Sequence, residues 1–235
     1  LKNSPLCISE ISGVSGIRAT CLATRVHSGP ETISSNVNNG DEFVTVQNSS
    51  GSQKFDLKLL AEILERFSPD FFISAFDSHP VPISLKRIHK SVDRTLKYEK
   101  FAVSSSASND NLPFISAIVG ADSLAEKERN IHGISDSSSG IAFCDLHKLP
   151  TLEERINLLK SVHISDVEKK DLLRIMRGPV SPSELIEYLP HIDVFDTSYV
   201  DDITSKGYAL QIDFINNILS NENLNMWEDR YFNDF

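Results

Sequence analysis

Apolar residues in this chain come in short runs separated by polar turns and amphipathic stretches. KFDLKLLAEILERF (54–67) puts Leu57, Leu60, Ile63 and Leu64 on one face at helical spacing, and DFFISAF (70–76) follows as a strand. The alternation continues with SLKRIHKSVDRTLKY (84–98) as a helix, PFISAIV (113–119) as a strand and SLAEKERNIHGI (123–134) as a helix. SSGIAFCDL (138–146), LLRIM (172–176) and HIDVF (191–195) read as further strands, separated by the helical patterns TLEERINLLKSV (151–162) and SPSELIEYL (181–189). Strand alternating with helix this many times predicts parallel strands joined by crossover helices. No glycine-rich dinucleotide fingerprint follows any strand, so a TIM-type (β/α)8 barrel fits better than an open Rossmann sheet. A complete barrel takes roughly 250 residues. The barrel is therefore expected to be tight and incomplete at its N-terminus, where the first fifty residues offer only weak strands such as GIRATCLAT (16–24). Residues 28–41 and 104–112, rich in Ser, Asn, Gly and Asp without apolar period, read as loops.

Composition sharpens this picture in three ways. With 235 residues and 40% hydrophobic content, residues 1–235 are expected to form a single domain around one core. No stretch approaches the roughly 18 apolar residues of a membrane helix, and LKNSPLCISE lacks the layout of a signal peptide, so a soluble intracellular protein is expected. Cys7, Cys21 and Cys144 are widely separated, form no C-x-x-C pair and read as free thiols of a reducing compartment. The formal net charge is −10, and a protein that neutralises many phosphates by itself carries a basic surplus. Gripping RNA alone is therefore not expected.

Two segments carry a family resemblance. ISAFDSHPVPISLKRIHKSVDRTLKY (73–98) resembles the tRNA-guanine transglycosylase segment in which a strand ends in Phe-Asp and a helix carries Ser, a variable pair, Arg, Thr or Ser, and Leu. RIMRGPVSPSELIEYLPHIDVFDTSYVDDITSKGYAL (174–210) resembles the same family's strand, Gly-x-x-x-Pro-x-x-Leu helix start and nucleophile strand ending in Phe-Asp. The likeness runs from about Glu42 to Phe235. It implies a barrel with its site at the C-terminal ends of the strands. In active members a carboxylate attacks C1′ of guanosine 34 in tRNAs with GUN anticodons, expels guanine and accepts queuine or a related base. Covalent capture splits one difficult displacement into two easier ones. The position matching this nucleophile is Asp196, and the one matching the aspartate that reads the polar edge of the base is Asp77.

Departures from the family pattern point away from catalysis. The family's Asp-Ser-Gly-Gly-Phe-Gln motif, whose Asp is the proton shuttle, has no counterpart in TISSNVNNGD (32–41). A positioned acid or base is worth roughly 10²- to 10⁴-fold. The family's Gln-Gly-Gly becomes Gly120, Ala121 and Asp122, and a Gly-Gly that lets the backbone approach the base becomes Cys144 and Asp145. Asp201 and Asp202 replace a run that carries arginines toward RNA phosphates. The zinc ligands of the family's C-terminal lobe, a Cys-x-Cys-x-x-Cys and a later His, have no match before MWEDRYFNDF (226–235), so no metal ligand is assigned in this chain.

Other readings of the same residues stay open. An Asp at a strand end also serves as a helix cap or loop acceptor. Lys86, Arg87, Lys90, Arg94 and Lys97 form a basic helix face that suits either a phosphate backbone or plain solvation. His79 and His132 have no partner at metal spacing and read as ordinary polar residues. The expectation is a noncatalytic barrel subunit in which Asp196 is a remnant. Its partner would be a catalytic transglycosylase subunit, in a heterodimer that meets tRNA as a complex, in the cytoplasm and by peripheral association at the mitochondrial outer membrane. The alternative is an active transglycosylase that uses Asp196 with a replacement acid.

Overall fold

A computed structural model describes residues 21–22, 39–48, 51–67, 69–108, 112–164, 172–178, 180, 182–196, 208–213 and 218–225. Six parallel strands form one sheet: β1 (Cys21–Leu22), β4 (Phe71–Ile73), β5 (Phe114–Ile118), β6 (Gly140–Phe143), β7 (Leu173–Arg177) and β8 (Val194–Asp196). Their spatial order follows the chain, so each crossover steps to the next stave in one direction, and the sheet curls as half of a barrel. Two antiparallel pairs lie outside it, β2 (Phe43–Asn48) with β3 (Gly51–Asp56) and β9 (Tyr208–Asp213) with β10 (Ile218–Asn225). Of the weak N-terminal strand candidate, Cys21 and Leu22 pair with Phe71 and Phe72 as β1.

All residues of β5 and β6 are buried, which is why they read as continuous apolar runs and not as alternating ones. Side chains alternate between the two faces. Ile118, Ile141, Phe143 and Met176 pack with Ile131, Leu158, Leu159 and Tyr188 of the crossover helices. Ile115, Ala117, Val119, Ala142, Cys144 and Ile175 form a second cluster. The helices are α1 (Leu57–Phe67), α2 (Leu85–Ser108), α3 (Leu124–His132), α4 (Leu152–Ile164) and α5 (Pro182–Tyr188). Ser123 caps α3 by accepting from Glu126 N at 3.4 Å. Thr151 and Glu154 form the reciprocal capping pair that starts α4, with Glu154 N donating to Thr151 Oγ1 at 3.2 Å and Thr151 N to Glu154 Oε2 at 3.1 Å.

Two boundaries differ from the sequence reading. Lys54–Asp56 belong to β3, and α1 begins only at Leu57, because Asp56 Oδ1 accepts from Lys58 N at 2.8 Å as an N-cap. Leu57, Leu60 and Leu64 are buried as the spacing implies, with Ile63 at the margin of that face. The expected loop 104–112 is helical as far as Ser108. The Ser104 and Ser108 hydroxyls donate to Lys100 O and Ser104 O, four residues back, so serines that favour loops are satisfied inside the helix. Tertiary packing extends the helix this far: Ala102 is buried against Leu60, Leu64, Phe72 and Phe114. Of the expected loop 28–41, residues 28–38 lie outside the described residues, and 39–41 are irregular.

Candidate functional site at the C-terminal rim of the sheet

Asp77 lies four residues past β4 and is completely buried. The helix motif Ser91-x-x-Arg94-Thr95 wraps around it, since positions i, i+3 and i+4 share one helix face. Arg94 NH1 donates to Asp77 Oδ2 at 2.6 Å, Asp77 N donates to Thr95 Oγ1 at 3.0 Å, and Ser91 Oγ donates to Asp77 O. The other carboxylate oxygen accepts from Asn39 Nδ2 at 2.6 Å and has His79 Nε2 at 2.8 Å. Burial pushes the Asp77 carboxyl up, but His79, Asn39 and Arg94 outweigh it and hold the group below the usual carboxylate range. Arg94 is thus not part of the expected basic face. It is buried at 5% exposure, turned inward by the Asp77 charge, while Lys86, Lys90 and Lys97 stay exposed.

The next two strand ends are locked by a second buried pair. Asp145, just after β6, is 1% exposed, and its carboxylate accepts from Gly120 N at 3.2 Å and Ala121 N at 2.8 Å. Lys127 of α3, also 1% exposed, donates to Asp145 Oδ1 and to Asp145 O. Burial raises the Asp145 carboxyl, and the charges of Lys127 and Lys148 with the Ala121 amide hold it down. Gly120 takes φ +155° beneath Lys127, where a Cβ would stand 2.6 Å from Lys127 Cγ and 2.8 Å from its backbone nitrogen. Ala121 adopts a left-handed φ of 49°, the turn that aims both amides at Asp145. Lys148 ties this corner to the Asp77 loop, donating to Ser78 Oγ at 2.5 Å and His79 O at 2.8 Å. The Cys144 thiol is buried and pushed up to about 12 by that burial, so it stays protonated.

Asp196 ends β8 directly beside Arg177, which ends β7 in register with it. Arg177 Nε donates to Asp196 Oδ2 at 2.8 Å, with the Arg177 side chain 9% and the Asp196 side chain 37% exposed. The guanidinium also lies 5.7 Å from the centre of the Phe76 ring, one residue before Asp77. Gly178 N donates to Asp196 O at 3.0 Å and continues the pairing beyond the strand ends. The Asp196 carboxylate therefore has a cation across one of its oxygens.

The rim therefore collects Asp77, Gly120, Ala121, Cys144, Asp145 and Asp196 at the C-terminal ends of the strands. Asp122 follows them as an exposed turn residue. Asp201, Asp202 and Cys7 lie outside the described residues. His79 pairs with Asp77, and His132 Nδ1 lies 2.7 Å from Glu128 O. Among the described residues no group of three His, Cys, Asp or Glu side chains could hold a metal ion. Sequence reasoning missed Asn39, Lys127 and Arg177. Arg177 left one signal, an arginine closing a strand one stave before a strand that closes in aspartate.

Comparison with known proteins agrees with the motifs. The family model described as "Queuine tRNA-ribosyltransferase" matches residues 10–235, beginning well before the Glu42 expected from the motifs. A protein of Aedes aegypti named queuine tRNA-ribosyltransferase accessory subunit 2 is 29% identical over 185 residues, which cover 74% of this chain and 44% of the relative. The Homo sapiens protein of the same name is 27% identical over 183 residues, with the same two shares. The Xenopus tropicalis one is 28% identical over 148 residues, covering 60% of this chain and 35% of its own. This chain thus spans less than half the length of the curated relatives it matches. By the extent of the family match, the motifs and the parallel half-barrel that carries them, the chain belongs to the queuine tRNA-ribosyltransferase family.

Proposed function

We propose that this chain serves as a noncatalytic accessory subunit of a queuine tRNA-ribosyltransferase, paired with a catalytic subunit that exchanges guanine for queuine at position 34 of tRNA. The observation that carries this reading is the Arg177–Asp196 pair. Attack on a ribose carbon needs a carboxylate lone pair free to approach an electrophile. At Asp196 the approach is shared with a buried guanidinium. Both oxygens of Asp77, the position resembling the base reader, are likewise occupied, by Asn39 and His79 on one side and Arg94 on the other. The relatives' name, accessory subunit, supports the same role.

The finer picture is a single domain in a closed eight-stranded barrel, with the net charge of −10 leaving phosphate contacts largely to the partner. Zinc would belong to a lobe outside the described residues, and the complex would sit in the cytoplasm, peripherally at the mitochondrial outer membrane. One observation favours the second reading, an active enzyme: the Asp196 side chain is 37% exposed and so reachable from solvent. That reading has Asp196 attack through Oδ1, the oxygen that Arg177 Nε does not hold.

Light scattering tests the assembly. The full-length protein is expected to run as a one-to-one complex when mixed with a catalytic transglycosylase subunit. A mixture that shows only the two separate masses overturns the proposal.

A further inference from the structure

We infer that residues Asn39–Phe43 are a built-in plug of the Asp77 seat, with the Asn39 carboxamide standing where a ligand's amide-like N–H would bind. The inference rests on Asp77 being the base-reading position. A carboxylate that reads the edge of a heterocyclic base accepts from neighbouring N–H groups of an amide or amidine. Asn39 Nδ2 offers Asp77 Oδ1 that same donor chemistry at 2.6 Å. The orientation of the amide is set at its other end, where Asn39 Oδ1 accepts from Thr45 N at 2.7 Å. With the segment in place Asp77 has no solvent exposure at all.

The segment is shaped and tied to stay over this carboxylate. Gly40 N donates to Phe43 O at 3.0 Å, and a Cβ on Gly40 would stand 2.2 Å from the Phe43 ring, so any larger residue there must push that ring aside. Tyr98 Oη donates to Gly40 O at 2.5 Å, with Phe43 O 3.1 Å from the same hydroxyl. Asp41 Oδ2 accepts from Lys97 at 2.8 Å, and Asp41 Oδ1 lies 3.5 Å from Arg94 Nε. All these ties are polar: the outer one joins the Asp41 and Lys97 side chains, 57% and 54% exposed, and those of Asn39 and Tyr98 are part-buried. Segments held by exposed polar contacts open at lower cost than those held by apolar packing. The plug, fastened by hydrogen bonds and one exposed ion pair, is the displaceable cover of the seat, whereas Arg94 belongs to its buried floor. The ligand class it excludes is a planar heterocycle with an exocyclic amino group beside a ring N–H.

The test uses the full-length protein and 2-aminopyrimidin-4-one, which carries that edge alone, read by saturation-transfer NMR. Asn39→Ala removes one hydrogen bond that the ligand must otherwise displace, so it is expected to bind at least about tenfold more tightly than the unsubstituted protein. Adding Asp77→Asn to Asn39→Ala is expected to abolish the gain. Equal affinity of the unsubstituted and Asn39→Ala proteins overturns the plug, as does a folded Asn39→Ala protein that binds nothing. Should Asn39→Ala fail to fold, Tyr98→Phe loosens the same segment, and absence of any gain there overturns the inference. Binding to the isolated chain is read independently of partner assembly, so neither experiment's failure is mistaken for the other's.

Discussion

Replacing Lys127 with methionine is expected to destabilise the protein by about 3 kcal/mol, the lower end of the cost of breaking a buried ion pair, because Asp145 keeps only the longer contact with Lys148 at 3.9 Å. Lys127 and Asp145 are each 1% exposed, so water cannot take over the lost charge. The damage spreads through Asp145, because its carboxylate also holds the Gly120 and Ala121 amides. The compensating change is Asp145→Asn. It removes the buried charge and keeps an acceptor oxygen for those amides, so the double substitution is expected to recover most of the loss. Urea unfolding of the two single variants and the double variant measures this as a coupling between the sites. A Lys127→Met variant within about 1 kcal/mol of the parent would contradict the assigned role, that being the size of an ordinary substitution effect.

Arg94→Met is expected to cost a similar amount, about 3–5 kcal/mol at neutral pH, and to change the pH dependence of stability. In the parent, partner charges hold the Asp77 carboxyl below its ordinary value despite burial. A depressed folded-state pKa contributes stability that is present above the unfolded value and is lost as pH falls through the folded one. Without Arg94 that depression is smaller, because only His79 and Asn39 remain to oppose burial, so the variant has less carboxylate stability to lose on acidification. The gap between parent and variant is therefore expected to be widest near neutrality and to narrow as pH falls below about 4, the ordinary carboxylate range. Melting curves across that range check it, and a gap that widens on acidification would contradict it.

How much of this was legible in the sequence depended on what carried each feature. The order of the parallel strands from β4 to β8 came through because β5 and β6 are buried on both faces and interrupt the helical periods with apolar runs, whereas the antiparallel pairs β2–β3 and β9–β10 were not read. The end of α2 was illegible because Ser104 and Ser108 favour loops locally, and only the packing of Ala102 onto α1 and the sheet overrides them. Asp77 and Asp196 were visible as aspartates after apolar strands. Their partners were not, because pairing across the rim joins Asn39 to Asp77 over 38 residues and Arg177 to Asp196 over 19. Arg94 illustrates the difficulty: it sits among Lys86, Arg87, Lys90 and Lys97 in the sequence, yet one helical face turns it inward. Local charge patterns report composition, and the direction of a side chain depends on where the helix docks.

The central claim is that Asp196 is no longer a working nucleophile, and trapping the covalent intermediate tests it most directly. The full-length protein, assembled with its catalytic partner and supplied with tRNA under conditions that halt the reaction after guanine leaves, is resolved by mass. The account predicts that the tRNA adduct forms on the partner alone and that Asp196→Asn leaves its yield unchanged. An adduct on this chain that disappears with Asp196→Asn would contradict it.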